Sequence, residues 1–218
     1  MSTSTIIEPG HADPSSVSAS ITTNTNSKDT SYVTRLATPS DAASISYLIG
    51  STWSKFFGYS VSPSDLEHYM TTKLSVDGIK RDLEDSKNVF LVATPSSSSS
   101  SSAPTSSSTH AGTDGEIVGV VQLVKDSTEP CLTLPRPIEL QRLYAHSSTH
   151  GTGLGPLLIS IAEQESRKMG YKSIWLGVWE DNARAKRFYE KMGFRAVGEH
   201  YFYVGESKRR DWIMEKSL

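Results

Sequence analysis

A glycine-rich hexapeptide, His150-Gly151-Thr152-Gly153-Leu154-Gly155, constrains this chain more than any other feature. Before it lies a strand-like apolar run, residues 138–145. After it, Leu154, Leu157, Leu158, Ile161, Ala162 and Glu165 recur at helical spacing. Three glycines in six positions suit neither element, so the segment must turn sharply between a strand and a helix. Pro156 fits the first turn of that helix. A bare backbone feeding a helix N-terminus leaves N–H groups open to an anion, and the helix dipole favours negative charge there. A phosphate-bearing ligand is the functional reading, and a plain tight turn is the alternative. The dinucleotide fingerprint Gly-x-Gly-x-x-Gly fails, because Pro156 stands where its last glycine belongs. A P-loop fails as well, because no glycine here precedes Lys-Ser or Lys-Thr. What remains is x-x-x-Gly-x-Gly with His150 in the first place.

The flanking pattern sets the fold class. Residues 32–37 read as a strand, and Thr38-Pro39-Ser40-Asp41 carries helix-start chemistry. Helices follow over 42–57, 64–72 (after Pro63) and 76–84. Residues 88–93 and 116–124 are strand-like, as is 138–145. The helix that starts at the glycines should end by Gly170. Then come a strand over 172–179 and a helix over 182–192, closed by Gly193 at its C-terminal cap. A hairpin of 194–204 and 211–215 finishes the chain. This order predicts a mixed α/β (α+β) sheet flanked by helices.

Composition explains why the 218-residue chain is only 36% hydrophobic. Residues 1–30 are rich in Ser, Thr, Asn and Pro, and too poor in large apolar side chains to offset their ordering entropy. They are expected to be a disordered tail. Residues 95–114 hold Ser96 through Ser102 and Ser106 through Ser108, a low-complexity insertion expected to be a disordered loop. The rest, 31–218, forms one domain. The formal net charge of -2 gives no basic excess for wrapping nucleic acid. One cysteine, Cys131, allows no internal disulfide and no cysteine-based zinc site. No apolar run reaches the roughly 18 residues of a membrane helix, and the N-terminus has no signal-peptide pattern. A cytoplasmic location, extending to the nucleus, is the expectation.

The strand Glu139-Leu140-Gln141-Arg142-Leu143-Tyr144-Ala145, the segment His150 to Gly155, Asn182, and Phe188-Tyr189-x-x-x-Gly193-Phe194 together resemble the GNAT superfamily of acetyl-CoA-dependent N-acetyltransferases. A finer likeness covers the whole core except the tail and the serine segment. It rests on Trp53 to Tyr59, Ser62-Pro63-x-Asp65-Leu66-x-x-Tyr69, Leu176-Gly177-Val178-Trp179-Glu180, Val197-Gly198 and Asp211-x-x-Met214. In these the chain is similar to PaiA-type spermidine/spermine acetyltransferases. Two departures stand out. His150 occupies a place usually held by Gln or Arg, and Lys208-Arg209-Arg210 brings positive charge to the closing hairpin.

The resemblance implies a twisted, mostly antiparallel sheet that splays where acetyl-CoA enters. It implies acetyl transfer to the primary amine of a small molecule, a polyamine among them. A protein N-terminal or lysine acetyltransferase is the alternative, and a CoA-binding module without turnover is the third reading. No metal is implied, and homodimers are common among such relatives. Tyr189 becomes the candidate acid for the leaving thiolate, since a phenol can donate to a developing anion. Glu139 becomes the candidate base, acting directly or through water. The backbone at Leu143, Tyr144 and Ala145 would meet the pantetheine arm. His150, Gly151, Thr152, Gly153, Leu154 and Gly155 would hold the pyrophosphate. Asn182 would cap a helix, touch CoA, or do both. Trp53, Phe56 and Tyr59 would line the acceptor pocket, because aromatic faces suit a cation.

Overall fold

The computed structural model describes residues 31–96, 116–204 and 207–218. Seven strands form one sheet: β1 (Tyr32–Leu36), β2 (Asn88–Pro95), β3 (Gly119–Val124), β4 (Pro137–Ala145), β5 (Ser173–Trp179), β6 (Arg195–Val204) and β7 (Ser207–Ser217). Their order is β1-β2-β3-β4-β5-β7-β6, and every pairing is antiparallel except β4 with β5. The helices are α1 (Ala42–Phe57), α2 (Pro63–Thr72), α3 (Val76–Glu84), α4 (Leu154–Lys168) and α5 (Ala183–Lys191).

Both faces of the central strands are covered, which is why they read as continuous apolar runs rather than alternating ones. Leu91 and Ala93 of β2 and Val121 and Leu123 of β3 point to a cluster shared with Leu154, Leu158, Ile161 and Ala162 of α4. Phe90, Val92 and Val120 point the other way, onto Ile45, Leu48, Ile49 and Trp53 of α1 and Ile79 of α3. All seven residues of β5 are buried. A register shift between β3 and β4 at Gln122/Leu123 leaves Gln141 as an extra residue. One extra residue reverses strand alternation. Ile138 and Leu140 therefore face α4 before the bulge, and Leu143 and Ala145 face it after, which turns Arg142 and Tyr144 towards α1 and α3.

The sequence boundaries of α1 and α3 match those observed. Ser62 and Ser75 cap α2 and α3 by accepting from the Asp65 and Gly78 amides. Two expectations need correction. Pro95, assigned to the serine-rich insertion, closes β2 opposite Tyr32, and the Ser96 amide donates to the Ser31 carbonyl. The last strand begins at Ser207, not at 211, so Lys208, Arg209 and Arg210 lie within it. The N-terminal tail and the serine segment from 97 onward fall outside the described residues. Among the described residues, no helix is long and apolar enough to cross a membrane.

Candidate active site

Strands β4 and β5 pair only at Pro137 to Glu139 with Ser173 to Trp175. Beyond that, β4 runs on to Ala145 and β5 to Trp179 without a shared ladder. The strand pattern decides which amides face the gap. The His146 N–H donates to the Val118 carbonyl, and Val120 lies opposite Tyr144 in the same register. In an antiparallel ladder alternate residues direct both backbone groups to one neighbour. Tyr144 is thus committed to β3, while the amides of Leu143 and Ala145 face the opening. This corrects the expectation for Tyr144: its backbone belongs to the β3 ladder and its side chain to the α1–α3 face.

The glycine turn sits at the open end. Gly151 and Gly153 have φ of 78° and 84°, in the left-handed region that favours glycine. Gly153 is the N-cap of α4. A Cβ on Gly151 would meet nothing within 4 Å, so packing does not demand glycine there. Thr152 braces the turn through its hydroxyl, which bonds the Thr149 carbonyl at 2.6 Å and the Tyr32 hydroxyl at 2.6 Å. Leu154 and Gly155 are buried in the first turn of α4. Burial lowers the His150 pKa, with His146 and Lys55 adding to the effect. The ring is neutral at pH 7 and offers a dipole rather than a charge. Gly151→Ala and Gly153→Ala should each cost about 1–2 kcal/mol, the penalty of an L-residue in this conformation. Urea denaturation of each variant checks this.

At the far side of the gap, Tyr189 on α5 is fully buried. Phe188 and Phe194 hold its ring edge-on, at centroid distances of 5.4 and 5.5 Å. Its ionisation would be felt at Tyr144, whose own hydroxyl is held protonated mainly by burial. Asn182 is the N-cap of α5, accepting from the Ala185 amide at 3.0 Å. Glu139 lies at the closed end, at the last β4–β5 pair. It is buried and accepts from the Ser127 hydroxyl at 2.7 Å.

The three expected pocket aromatics separate. Trp53 is a core residue of α1, 5.0 Å from the Tyr69 ring. Its helical spacing reported packing rather than access. Phe56 is partly buried against the same cluster. Tyr59 is exposed, with its ring 6.0 Å from that of Trp179.

Polar groups that sequence reasoning left without a role lie on the α1–α3 face of the sheet. Arg142 is buried, and its guanidinium donates to Asp82 at 2.8 Å and lies near the Tyr69 phenol. Burial works against its charge, but Tyr69 and Asp82 outweigh that and keep it protonated. Arg209 is buried with its guanidinium 4.2 Å from the centre of the Trp179 ring. Asp211, next on that face of β7 and opposite Trp179, is 0% exposed. Among the described residues, neither Asp211 oxygen has a hydrogen-bond partner, nor has the Tyr144 hydroxyl or the Arg142 Nε. Burial pushes the Asp211 carboxyl up to about 7 against the pull of Arg209, with Glu180 adding to the rise. The available signal was an aspartate at an inward position of an apolar strand, Asp211-Trp212-Ile213-Met214.

The basic triplet is not one patch. Lys208 lies over the Tyr201 ring at 4.0 Å, Arg209 turns inward, and Arg210 pairs with Glu180 and Glu199. Among the described residues no group of three His, Cys, Asp or Glu is placed to hold a metal.

Residues 79–194 match the family described as acetyltransferase (GNAT). An uncharacterised N-acetyltransferase of Lactobacillus delbrueckii subsp. lactis is 29% identical over 167 residues, covering 77% of this chain and 86% of that protein. An uncharacterised N-acetyltransferase of Mycobacterium bovis is 34% identical over 105 residues, 48% of this chain and 63% of that one. Among solved structures, the PaiA N-acetyltransferase of Thermoplasma acidophilum in complex with coenzyme A superposes with a TM-score of 0.61 at 20% identity, covering 86% of this chain and 99% of that one. An acetyltransferase of Salmonella typhimurium with its cofactor acetyl-CoA gives 0.57 at 16% identity, with 86% and 94% covered.

Proposed function

The chain belongs to the GNAT acetyltransferase family, and from that premise we propose that it moves an acetyl group from acetyl-CoA to the primary amine of a small molecule, a polyamine first among them. The observation that carries this reading is the gap between β4 and β5, which runs into the glycine turn at the start of α4. The residues suit the co-substrate. Amides of Leu143 and Ala145 are oriented to meet a pantetheine arm, and the turn at Gly151 leaves the room a pyrophosphate needs. His150 contributes a neutral donor in place of a charge.

Acetyl-CoA supplies a thioester carbonyl open to attack by an amine. The protein's residues handle position and protons. An alkyl amine with a lysine-like pKa of about 10.4 is neutral in only about one molecule per thousand at pH 7, a deficit of roughly 4 kcal/mol. A carboxylate or a drying pocket must supply it. Tyr189, buried beside the opening, donates its proton to the departing sulfur. Glu139 sits at the closed end on Ser127, so a proton reaches it from the opening only through water.

A protein acceptor is the second reading. Tyr59, exposed beside the Trp179 ring, is its support, since such a side chain suits a peptide.

The test is CoA release from acetyl-CoA with spermidine, spermine, arylamines, amino acids and short peptides. Saturable turnover on a polyamine is expected, and turnover on peptides alone would move the assignment to the second reading. In the same assay Tyr189→Phe should lower kcat at least tenfold while calorimetric acetyl-CoA affinity stays within twofold. An unchanged kcat would remove Tyr189 from the acid role.

A further inference from the structure

We propose that Asp211 is the catalytic carboxylate that receives the proton of the acceptor amine. This deepens the reading above and rests on it.

Two carboxylates lie on the same face of β7, four residues apart, and they are treated differently. Glu215 is buried and fully engaged: it accepts from the Thr133 hydroxyl, the Thr133 and Leu134 amides and the Arg195 guanidinium. Asp211 is equally buried and, among the described residues, accepts from nothing. Buried polar groups in folded proteins are nearly always hydrogen-bonded. A carboxylate left bare inside a strand is a cost that folding alone does not explain, and an ammonium ligand would remove that cost.

Its position along the sheet matches the chemistry. Asp211 pairs with Trp179, whereas Glu139 pairs with Trp175. Four strand residues separate the two levels, about 13 Å at ~3.3 Å per residue. Asp211 thus lies at the open end of the gap, level with the part of β4 that includes Leu143 and Tyr144. Glu139 lies at the closed end. The side of the sheet is also right. Arg209 and Asp211 share the face to which Tyr144 and Trp179 turn, and Arg209 acts electrostatically on both Asp211 and Tyr144. Aromatic rings of Trp179 and Tyr59 lie beside this opening and suit a cation.

Arg209 precedes Asp211 on β7, and Glu180 follows Trp179. His200 lies opposite on β6 and bonds Glu129 at 2.8 Å. Tyr69 of α2 and Tyr144 of β4 share the field of Arg209. A carboxyl near pKa 7 is matched to proton transfer at neutral pH.

The step balances. The ammonium passes one proton to the Asp211 carboxylate, leaving a neutral amine. The amine nitrogen bonds to the thioester carbon as the carbon–sulfur bond breaks, and sulfur keeps that electron pair and takes a proton from Tyr189. The nitrogen's second proton restores Tyr189, directly or through water. Asp211 then releases its own proton to solvent. The products are the amide, CoA thiol and one proton.

The experiment compares wild type, Asp211→Asn and Glu139→Gln at pH 7 with two acceptors: spermidine, a cation, and 4-methoxyaniline, already neutral. Asp211→Asn should lower kcat/KM for spermidine about 100-fold, the lower end of the range for acid–base catalysis. It should change the aniline rate less than threefold, and the acid limb of the pH profile should disappear. Glu139→Gln should alter the spermidine and aniline rates by the same factor, because a carboxylate at the closed end does not distinguish a charged amine from a neutral one. Calorimetric acetyl-CoA affinity should be unchanged in both variants. Asp211→Ala gives an independent check, since added formate should restore spermidine turnover. Equal losses on both amines, no formate rescue, or turnover confined to the aniline would overturn the proposal. If no amine in the panel reacts with wild type while acetyl-CoA still binds, the proposed function fails and the assignment falls with it. An unaltered Asp211→Asn rate on spermidine overturns the Asp211 assignment alone.

Discussion

Asp82→Ala should destabilise the protein by about 3 kcal/mol, whereas Arg142→Met should cost about 1 kcal/mol. The asymmetry follows from burial. The Arg142 side chain is 7% exposed and its partner Asp82 is 35% exposed. Removing Asp82 leaves a guanidinium in the interior with the phenols of Tyr69 and Tyr144 beside it and no carboxylate to answer it. Removing Arg142 leaves a carboxylate that water can reach. Breaking one side of a buried pair typically costs 3–5 kcal/mol, and the access of water to Asp82 puts this case at the lower end. The double variant should therefore be more stable than Asp82→Ala alone, because the orphaned charge is gone. Urea titration of all four proteins measures this coupling. Additive losses would mean that Asp82 does not hold the guanidinium in solution.

The parts of the fold that were legible in sequence are those set by local chemistry. Ser75 before 76–84 and Gly193 after 182–192 mark helix ends because a cap needs a hydroxyl acceptor or a left-handed residue, whatever surrounds it. The glycine turn was legible for the same reason. What the sequence concealed depends on partners distant in the chain. Trp53 has the spacing of a pocket residue and of a core residue alike, and only Tyr69 and the sheet decide between them. Lys208-Arg209-Arg210 reads as one charged cluster, but a strand sends neighbours to opposite faces. The bulge at Gln141 moves Tyr144 from an expected backbone contact to a side-chain one, and nothing local announces it. Glu139 lies on the expected strand, yet the extent of the β4–β5 ladder places it at the closed end.

The second large effect is on stability against pH, and it separates Asp211 from Glu215 on the same strand. Its carboxyl rises from an ordinary 3.8 to about 7 because burial disfavours the charged form. The folded protein thus keeps a proton that the unfolded chain gives up. Between about pH 4 and pH 7 the native state binds more protons at this residue, so stability must fall as pH rises. About three pKa units at 1.36 kcal/mol each put the full loss at about 4 kcal/mol. Glu215 runs the opposite way. Burial would raise it, but bonds from Thr133, Leu134 and Arg195 prevail and lower it, so its contribution is lost as pH falls through the acid range. The wild-type profile mixes these terms, and Asp211→Asn isolates one of them. Relative to wild type, the variant should gain about 4 kcal/mol between pH 4 and pH 8 in urea denaturation, with most of the gain complete by pH 7. A flat difference would mean that the carboxyl titrates normally and is hydrated in the folded state. The same substitution is expected to lower turnover on cationic amines about 100-fold. Gain of stability with loss of activity at one position is the signature of a residue kept for chemistry at the expense of the fold. A purely structural aspartate would lose both together.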